Sequence, residues 1–188
     1  MQSHSLRNPT VLVSLMAAIF AFGIDRAQKG FHIAAECYGI GQAACVNIPF
    51  AIRPLSFTGW RGGEVVPVTS FFDYVLVWNT GISYGLLDSL PVWALGLVML
   101  VAIVALSVWW WRSDGLLVRL GLALCIGGAL SNVLDRLLYG AVADFFHFYW
   151  NNWSFYIFNL ADVAITFGVI LLFVDLLGLG RKTADKPA

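Results

Sequence analysis

Seven polar side chains stand where apolar runs begin or end: Asp25, Asn132, Asp135, Arg136, Asp144, Asn159 and Asp162. Ionisable groups inside or beside membrane-length apolar segments are costly and mark functional sites by default. The pairs Asn132/Asp135 and Asn159/Asp162 are each spaced by three residues, so each pair lies on one face of a helix. Two carboxylic acids held close at a low-dielectric boundary share a proton, because the second ionisation is opposed by the first. Such a pair suits general acid–base chemistry: the ionised partner polarises a water and the protonated partner donates to a carbonyl oxygen. Asp162 falls in the first turn of its helix, where the dipole favours the carboxylate. Asp144 falls outside a regular span and is freer to hold the proton; the two roles can exchange through a reaction cycle.

A structural role is the simpler reading for the other polar residues. Asn132 and Asn159 suit hydrogen bonds between helices, and Asp135 next to Arg136 reads as an interfacial ion pair. Asp175 reads as an interfacial charge near Arg181, and His147, set among Phe145, Phe146 and Phe148, as an interface residue. Ser83 and Ser131 have no Lys or His close in sequence to activate them. The histidines His4, His32 and His147 and the cysteines Cys37, Cys45 and Cys125 form neither a CxxC nor an HExxH pattern, so no metal site is expected.

The elements that position these residues follow from composition. Of 188 residues, 60% are hydrophobic and 12% charged, against roughly 25% charged in a soluble domain. The expected fold class is an all-α membrane protein, one integral domain over 1–188: a four-transmembrane-helix bundle with a small β-rich periplasmic platform. Spans are expected at about 9–27, 89–111, 115–137 and 156–178, since about 20 apolar residues cross the hydrocarbon. The first span reads as an uncleaved anchor, because Asp25-Arg26-Ala27-Gln28-Lys29 is not a small-residue cleavage site.

The segment 30–88 is expected to form the platform, with short strands around Glu64–Thr69 and Phe71–Trp78. Tyr149, Trp150, Trp153 and Tyr156 form an interfacial aromatic belt. Arg112, Arg119, Arg181, Lys182 and Lys186 place both termini and the 112–114 turn in the cytoplasm, although Arg26, Lys29, Arg53 and Arg61 oppose that bias. The polar ends then share the outer face, where a Cys37–Cys45 disulfide is one of two open states. A formal net charge of zero gives no electrostatic footprint for nucleic acid.

Five elements in order resemble the bacterial lipoprotein signal peptidase family, the type II signal peptidases. They are Asp25-Arg26-Ala27-Gln28-Lys29, Asn79-Thr80-Gly81-Ile82-Ser83-Tyr84-Gly85, the run Gly127–Arg136, Val142-Ala143-Asp144-Phe145 and Phe158-Asn159-Leu160-Ala161-Asp162. The resemblance implies an intramembrane aspartyl endopeptidase of the inner membrane with its site at the periplasmic face. It would cut diacylglyceryl-modified prolipoproteins before the lipidated cysteine. It places the catalytic pair on Asp144 and Asp162 and supporting roles on Asp25, Asn79, Asn132, Asp135, Arg136 and Asn159. It implies no metal or other cofactor, membrane lipids as partners, and inhibition by globomycin-type peptides. Arg26 replaces the family's usual Gln, Ile82-Ser83-Tyr84 replaces Ala-Ala-Phe, Ser131 replaces Gly, and the stretch between Lys29 and Asn79 is long. Two other functions fit buried acids: a proton-coupled carrier, disfavoured because no acids reach the second face, and a non-catalytic relative that binds precursors.

Overall fold

The computed structural model describes residues 8–40, 65–79, 81 and 92–179, with the side chains of 34–40 and 92 excepted. The described residues are mostly helical with one antiparallel sheet. Among them, three helices carry segments long and apolar enough to cross a membrane: Pro9–Ile33 within α1 (Pro9–Ile40), Trp93–Arg112 within α2 (Val92–Arg112), and Leu116–Tyr139, which is α3. A fourth helix, α4 (Leu160–Leu176), has 17 residues, about 26 Å at 1.5 Å per residue. Its flank exposes Phe167, Val169, Ile170 and Phe173, and α2 exposes Trp93, Leu97, Val101 and Val104. Apolar patches of this extent call for a lipid environment.

Helix α3 is the centre of the bundle, packing most extensively on α4, then on α1, then on α2. Small residues bring α3 and α4 to backbone contact. A methyl group at Gly128 would stand 2.5 Å from the Ala161 carbonyl oxygen, and one at Gly168 would stand 2.5 Å from the carbonyl oxygen of Gly121. Gly127 meets the backbone of Ala18 on α1 in the same way. Without a hydrophobic drive between helices in lipid, such close approach is what makes them associate. At the end remote from the sheet, buried Arg119 donates to the Thr10 hydroxyl at 2.8 Å and to the Ser113 carbonyl at 2.6 Å. That ties α1 to the turn before α3.

The sheet has strand order β1 (Val66–Thr69), β2 (Phe72–Asn79), β3 (Val142–Trp150), β4 (Trp153–Ser154). Gly140 ends α3 in the left-handed region, φ 77°, and its N–H returns to the Arg136 carbonyl at 3.1 Å. Only glycine adopts this conformation cheaply, and it turns the chain straight into β3. The β2–β3 ladder breaks register between the pairs Tyr74–Phe146 and Val77–Asp144, so β2 carries one extra residue there. At this bulge the Phe145 and Phe146 N–H groups both donate to the Phe158 carbonyl at 2.9 Å. The lead-in to α4 is thereby bonded to β3 next to Asp144.

Several boundaries differ from those read in the sequence. Helix α1 continues to Ile40 rather than giving way to β structure at residue 30. Its extension is held by the sheet: Gln28 Nε2 donates to Tyr74 Oη at 2.6 Å, and Ile33 shares a core with Leu76, Ala143 and Phe145. The platform draws on 65–79, as expected, but also on 142–154, which lies between the expected third and fourth spans and outside the expected platform. Helix α4 starts at Leu160, four residues later than expected, because Phe158 is bonded to the sheet. The expected Cys37–Cys45 pair lies outside the described side chains. The α3–α4 seam gives a direct test. Gly128→Val is expected to destabilise the protein by about 1–3 kcal/mol, read as lowered thermal unfolding in detergent. Gly23→Ala, where a methyl meets nothing within 4 Å among the described residues, is expected to change stability by less than about 0.5 kcal/mol.

Candidate active site

Asp25, Asn79, Asn132, Asp135, Arg136, Asp144, Asn159 and Asp162 meet at the sheet end of the bundle, in two layers. The upper layer surrounds a cleft of about 180 Å³ lined by Asn79, Gly81, Met99, Asn132, Arg136, Val142, Asp144 and Asp162. That volume has room for several waters.

Asp144 comes from β3 and Asp162 from the first turn of α4. Asn159 serves both. Its side-chain oxygen accepts the Asp162 N–H at 3.0 Å while the Asp162 carboxylate accepts the Asn159 N–H at 3.2 Å, a reciprocal helix cap. Its amide nitrogen donates to Asp144 Oδ1 at 2.6 Å and to Asn132 Oδ1 at 3.1 Å. Asn132 Nδ2 in turn donates to Asp162 Oδ1 at 3.0 Å, and Asn79 Nδ2 donates to Asp144 Oδ2 at 3.1 Å. Each acid therefore accepts from two nitrogen donors, and the two acids are joined by the Asn159–Asn132 pair.

Burial pushes the Asp144 carboxyl up to about 7, with the negative charge of Asp162 adding to the rise. The hydrogen bonds from Asn79 and Asn159 and the charge of Lys29 pull the other way. Asp144 thus titrates near neutrality, where a group can both give and take a proton.

The lower layer is a buried charge cluster. Lys29 Nζ lies 2.8 Å from Asp25 Oδ2 and 2.6 Å from Asp135 Oδ2, and all three side chains are fully enclosed. Arg26 also pairs with Asp135, and Ser131 Oγ donates to Asp25 Oδ2 at 2.6 Å. The pairing expected between Asp135 and Arg136 is not formed. Consecutive helical residues point about 100° apart. Asp135 turns to Lys29 and Arg26, and Arg136 turns to the cleft, where its Nη2 donates to the Gly81 carbonyl at 2.6 Å. The buried Nε of Arg136 has no acceptor among the described residues.

Lys29, Ser131, Gly81 and Met99 join the site without a role read from the sequence. Lys29 carries a signal that could have found it: two acids buried in apolar helices demand a cation, and Lys29 lies one turn after Asp25. His147 bridges strands instead, 2.7 Å from Ser154 Oγ and 3.6 Å from Asp73. Among the described residues, no three His, Cys, Asp or Glu side chains are grouped to hold a metal ion.

A family model described as signal peptidase (SPase) II matches residues 17–178. The chain belongs to the signal peptidase II family. A lipoprotein signal peptidase of Rhodopseudomonas palustris (strain TIE-1) is 50% identical over 191 residues, covering 94% of this chain and 98% of that protein. One from Methylocella silvestris (strain DSM 15510 / CIP 108128 / LMG 27833 / NCIMB 13906 / BL2) is 40% identical over 190 residues, covering 96% and 98%. The fold is shared with a bacterial membrane enzyme solved in meso at 2.3 Å (TM-score 0.69, 24% identity, 95% of each chain). A second such enzyme, at 1.9 Å, gives TM-score 0.64 with 26% identity over 89% of this chain and 94% of that one. This family member is a peptidase whose helices suit a membrane.

The Asp144 titration predicts a pH-dependent stability. The folded chain keeps this proton to about pH 7, whereas an unfolded aspartate releases it near 3.9. Folding therefore carries no penalty from Asp144 below about pH 4, a growing one from 4 to 7, and the full one above. Asp144→Asn removes the penalty. The variant is expected to gain about 2–4 kcal/mol over the parent at pH 8, shrinking toward zero at pH 4, by thermal unfolding across pH.

Proposed function

We propose that the chain is an intramembrane aspartic endopeptidase that removes signal peptides from diacylglyceryl-modified prolipoproteins, cutting before the lipidated cysteine. The observation that carries this reading is the placement of Asp144 and Asp162 on one small cleft, joined through Asn159 and Asn132, in a member of the signal peptidase II family. The pair shares one proton. Asp144 holds it at rest, being deeply buried in a strand. Asp162, at the positive end of the α4 dipole, is the carboxylate. It takes a proton from a water as the water oxygen attacks the scissile carbonyl carbon. Asp144 gives its proton to the carbonyl oxygen. The tetrahedral intermediate collapses as the C–N bond breaks: the proton held by Asp162 passes to the leaving nitrogen, one hydroxyl proton returns to Asp144, and a carboxylic acid is left on the other fragment.

Asn79, Asn132 and Asn159 hold the acids in register through the hydrogen bonds described above, and Asp25 and Asp135 support them from below. Arg136, with its unused Nε beside the cleft, supplies donors to a substrate backbone carbonyl. Helix α4 acts as the fourth span, its 17 residues lengthened by apolar flanks. The positive charge of Arg112 and Arg119 at the other end of the bundle supports both termini in the cytoplasm of a bacterial cell and the sheet at the periplasmic face of the inner membrane. A lipid-anchored substrate diffuses in that plane. Its acyl chains lie along apolar faces such as the one α2 presents, and its scissile bond meets the cleft at the interface, where water can reach it.

The test is cleavage of a lipidated prolipoprotein peptide by the purified full-length protein in detergent. Asp144→Asn and Asp162→Asn are each expected to lower kcat by about 10²–10⁴-fold, and globomycin is expected to inhibit the parent. Cleavage at parental rates by either variant overturns the assignment of the pair.

A further inference from the structure

The two acids sit on separate elements, β3 and α4, so something must fix the distance between those elements. The backbone N–H of the residue just before each acid shows what does. Ala143, preceding Asp144, donates its N–H to Asp135 Oδ2 at 3.2 Å. Ala161, preceding Asp162, donates its N–H to Asp25 Oδ1 at 2.8 Å. Both alanines are fully buried. One carboxylate from α3 therefore holds the strand and one from α1 holds the helix start, at equivalent positions.

Lys29 joins the two holders. Its Nζ contacts Asp25 Oδ2 and Asp135 Oδ2 at 2.8 and 2.6 Å, and its remaining donor goes to Asn132 Oδ1 at 2.9 Å. An ammonium has three N–H groups, and all three are spent. Asn132 is the residue that donates to Asp162 Oδ1. We propose that Lys29 is a positioning residue: by bridging Asp25 and Asp135 it sets the spacing between Asp144 and Asp162. This rests on the proposed peptidase reading.

An ion pair that served folding alone could stand anywhere along the α1–α3 seam. This one has both carboxylates bonded one residue upstream of the reacting acids. Removing the ammonium leaves Asp25 and Asp135 repelling each other, since of these two acids Arg26 pairs with Asp135 and not with Asp25. The elements that carry the acids then lose their common reference. A misplacement of about 1 Å in a reacting group costs on the order of 10²-fold in rate.

Two variants separate bridging from burial of charge. Lys29→Met removes the bridge and leaves one unbalanced negative charge. Lys29→Met with Asp25→Asn removes the bridge but restores neutrality, and the amide introduced on α1 keeps an oxygen for the Ala161 N–H. Both are compared with the parent and with Asp144→Asn by steady-state cleavage of the lipidated peptide across pH, with thermal unfolding as the folding control. The expected result for the charge-balanced variant is parental unfolding, kcat lowered about 100-fold, and KM within about 3-fold.

In Lys29→Met the acidic limb of the pH–rate profile is expected to move to higher pH, since a positive charge near the acids is lost. The charged groups acting on Asp144 are Lys29 from α1, Arg136 from α3 and Asp162 from α4. A role confined to folding would move kcat and unfolding temperature together and leave the limb in place. Parental kcat in the charge-balanced variant, or a fall in kcat that merely tracks lost stability, overturns the proposal. If Asp144→Asn still cleaves at the parental rate, the peptidase reading falls first. If Asp144→Asn is inactive while the Lys29 variants turn over normally, only the bridge falls.

Discussion

A carboxylate removed from water without a partner costs several kcal/mol, and α1 and α3 each bury one. Asp25 and Asp135 are fully enclosed, and so is the lysine between them. Arg26, partly exposed, supplies the second positive charge. Two acids and two bases cancel, which is the condition for placing them beneath a sheet in an apolar bundle. The remaining lone pairs are filled by Ser131 and by the N–H groups of Ala143 and Ala161. The cluster therefore does two things with the same oxygens: it neutralises charge, and it ties β3 and α4 to the helices below.

Above this base, the cleft is organised by amides rather than charges. Asn79, Asn132 and Asn159 all reach a carboxylate, and Asn159 also caps α4. An amide can donate and accept at once, so it fixes geometry without adding net charge near a pair of acids. The β2 bulge contributes by freeing the Phe145 N–H for Phe158, which draws the start of α4 against β3. The left-handed Gly140 performs the complementary task at the other end of β3.

The sequence exposed the bundle because spans leave long uncharged runs, and it exposed the site because polar residues are conspicuous there. Asp144 and Asp162 stood out for that reason, as did Asn132 and Asn159 by their helical spacing. What it hid was long-range pairing. Asp135 and Arg136 look like partners when read along the chain, yet a helix turns neighbours apart, and their partners come from α1 and from Gly81. The strand character of 142–150 was hidden because the segment falls between two expected spans and outside the expected platform. The helical extension past residue 30 depends on contacts of Gln28 and Ile33 with the sheet, which no local pattern announces. Lys29 was visible as a residue but not as a junction, because its acceptors are drawn from two helices.

The glycine-lined contact of α3 with α4 has a consequence for traffic. Gly121, Gly128 and Gly168 leave backbone against backbone, a joint too narrow for an acyl chain to part. Helix α2 meets α3 more sparingly and presents Met99 to the cleft wall. Methionine is unbranched and adapts its shape readily. Of the two seams along α3, the one with α4 is thus the rigid one and the one with α2 the more compliant.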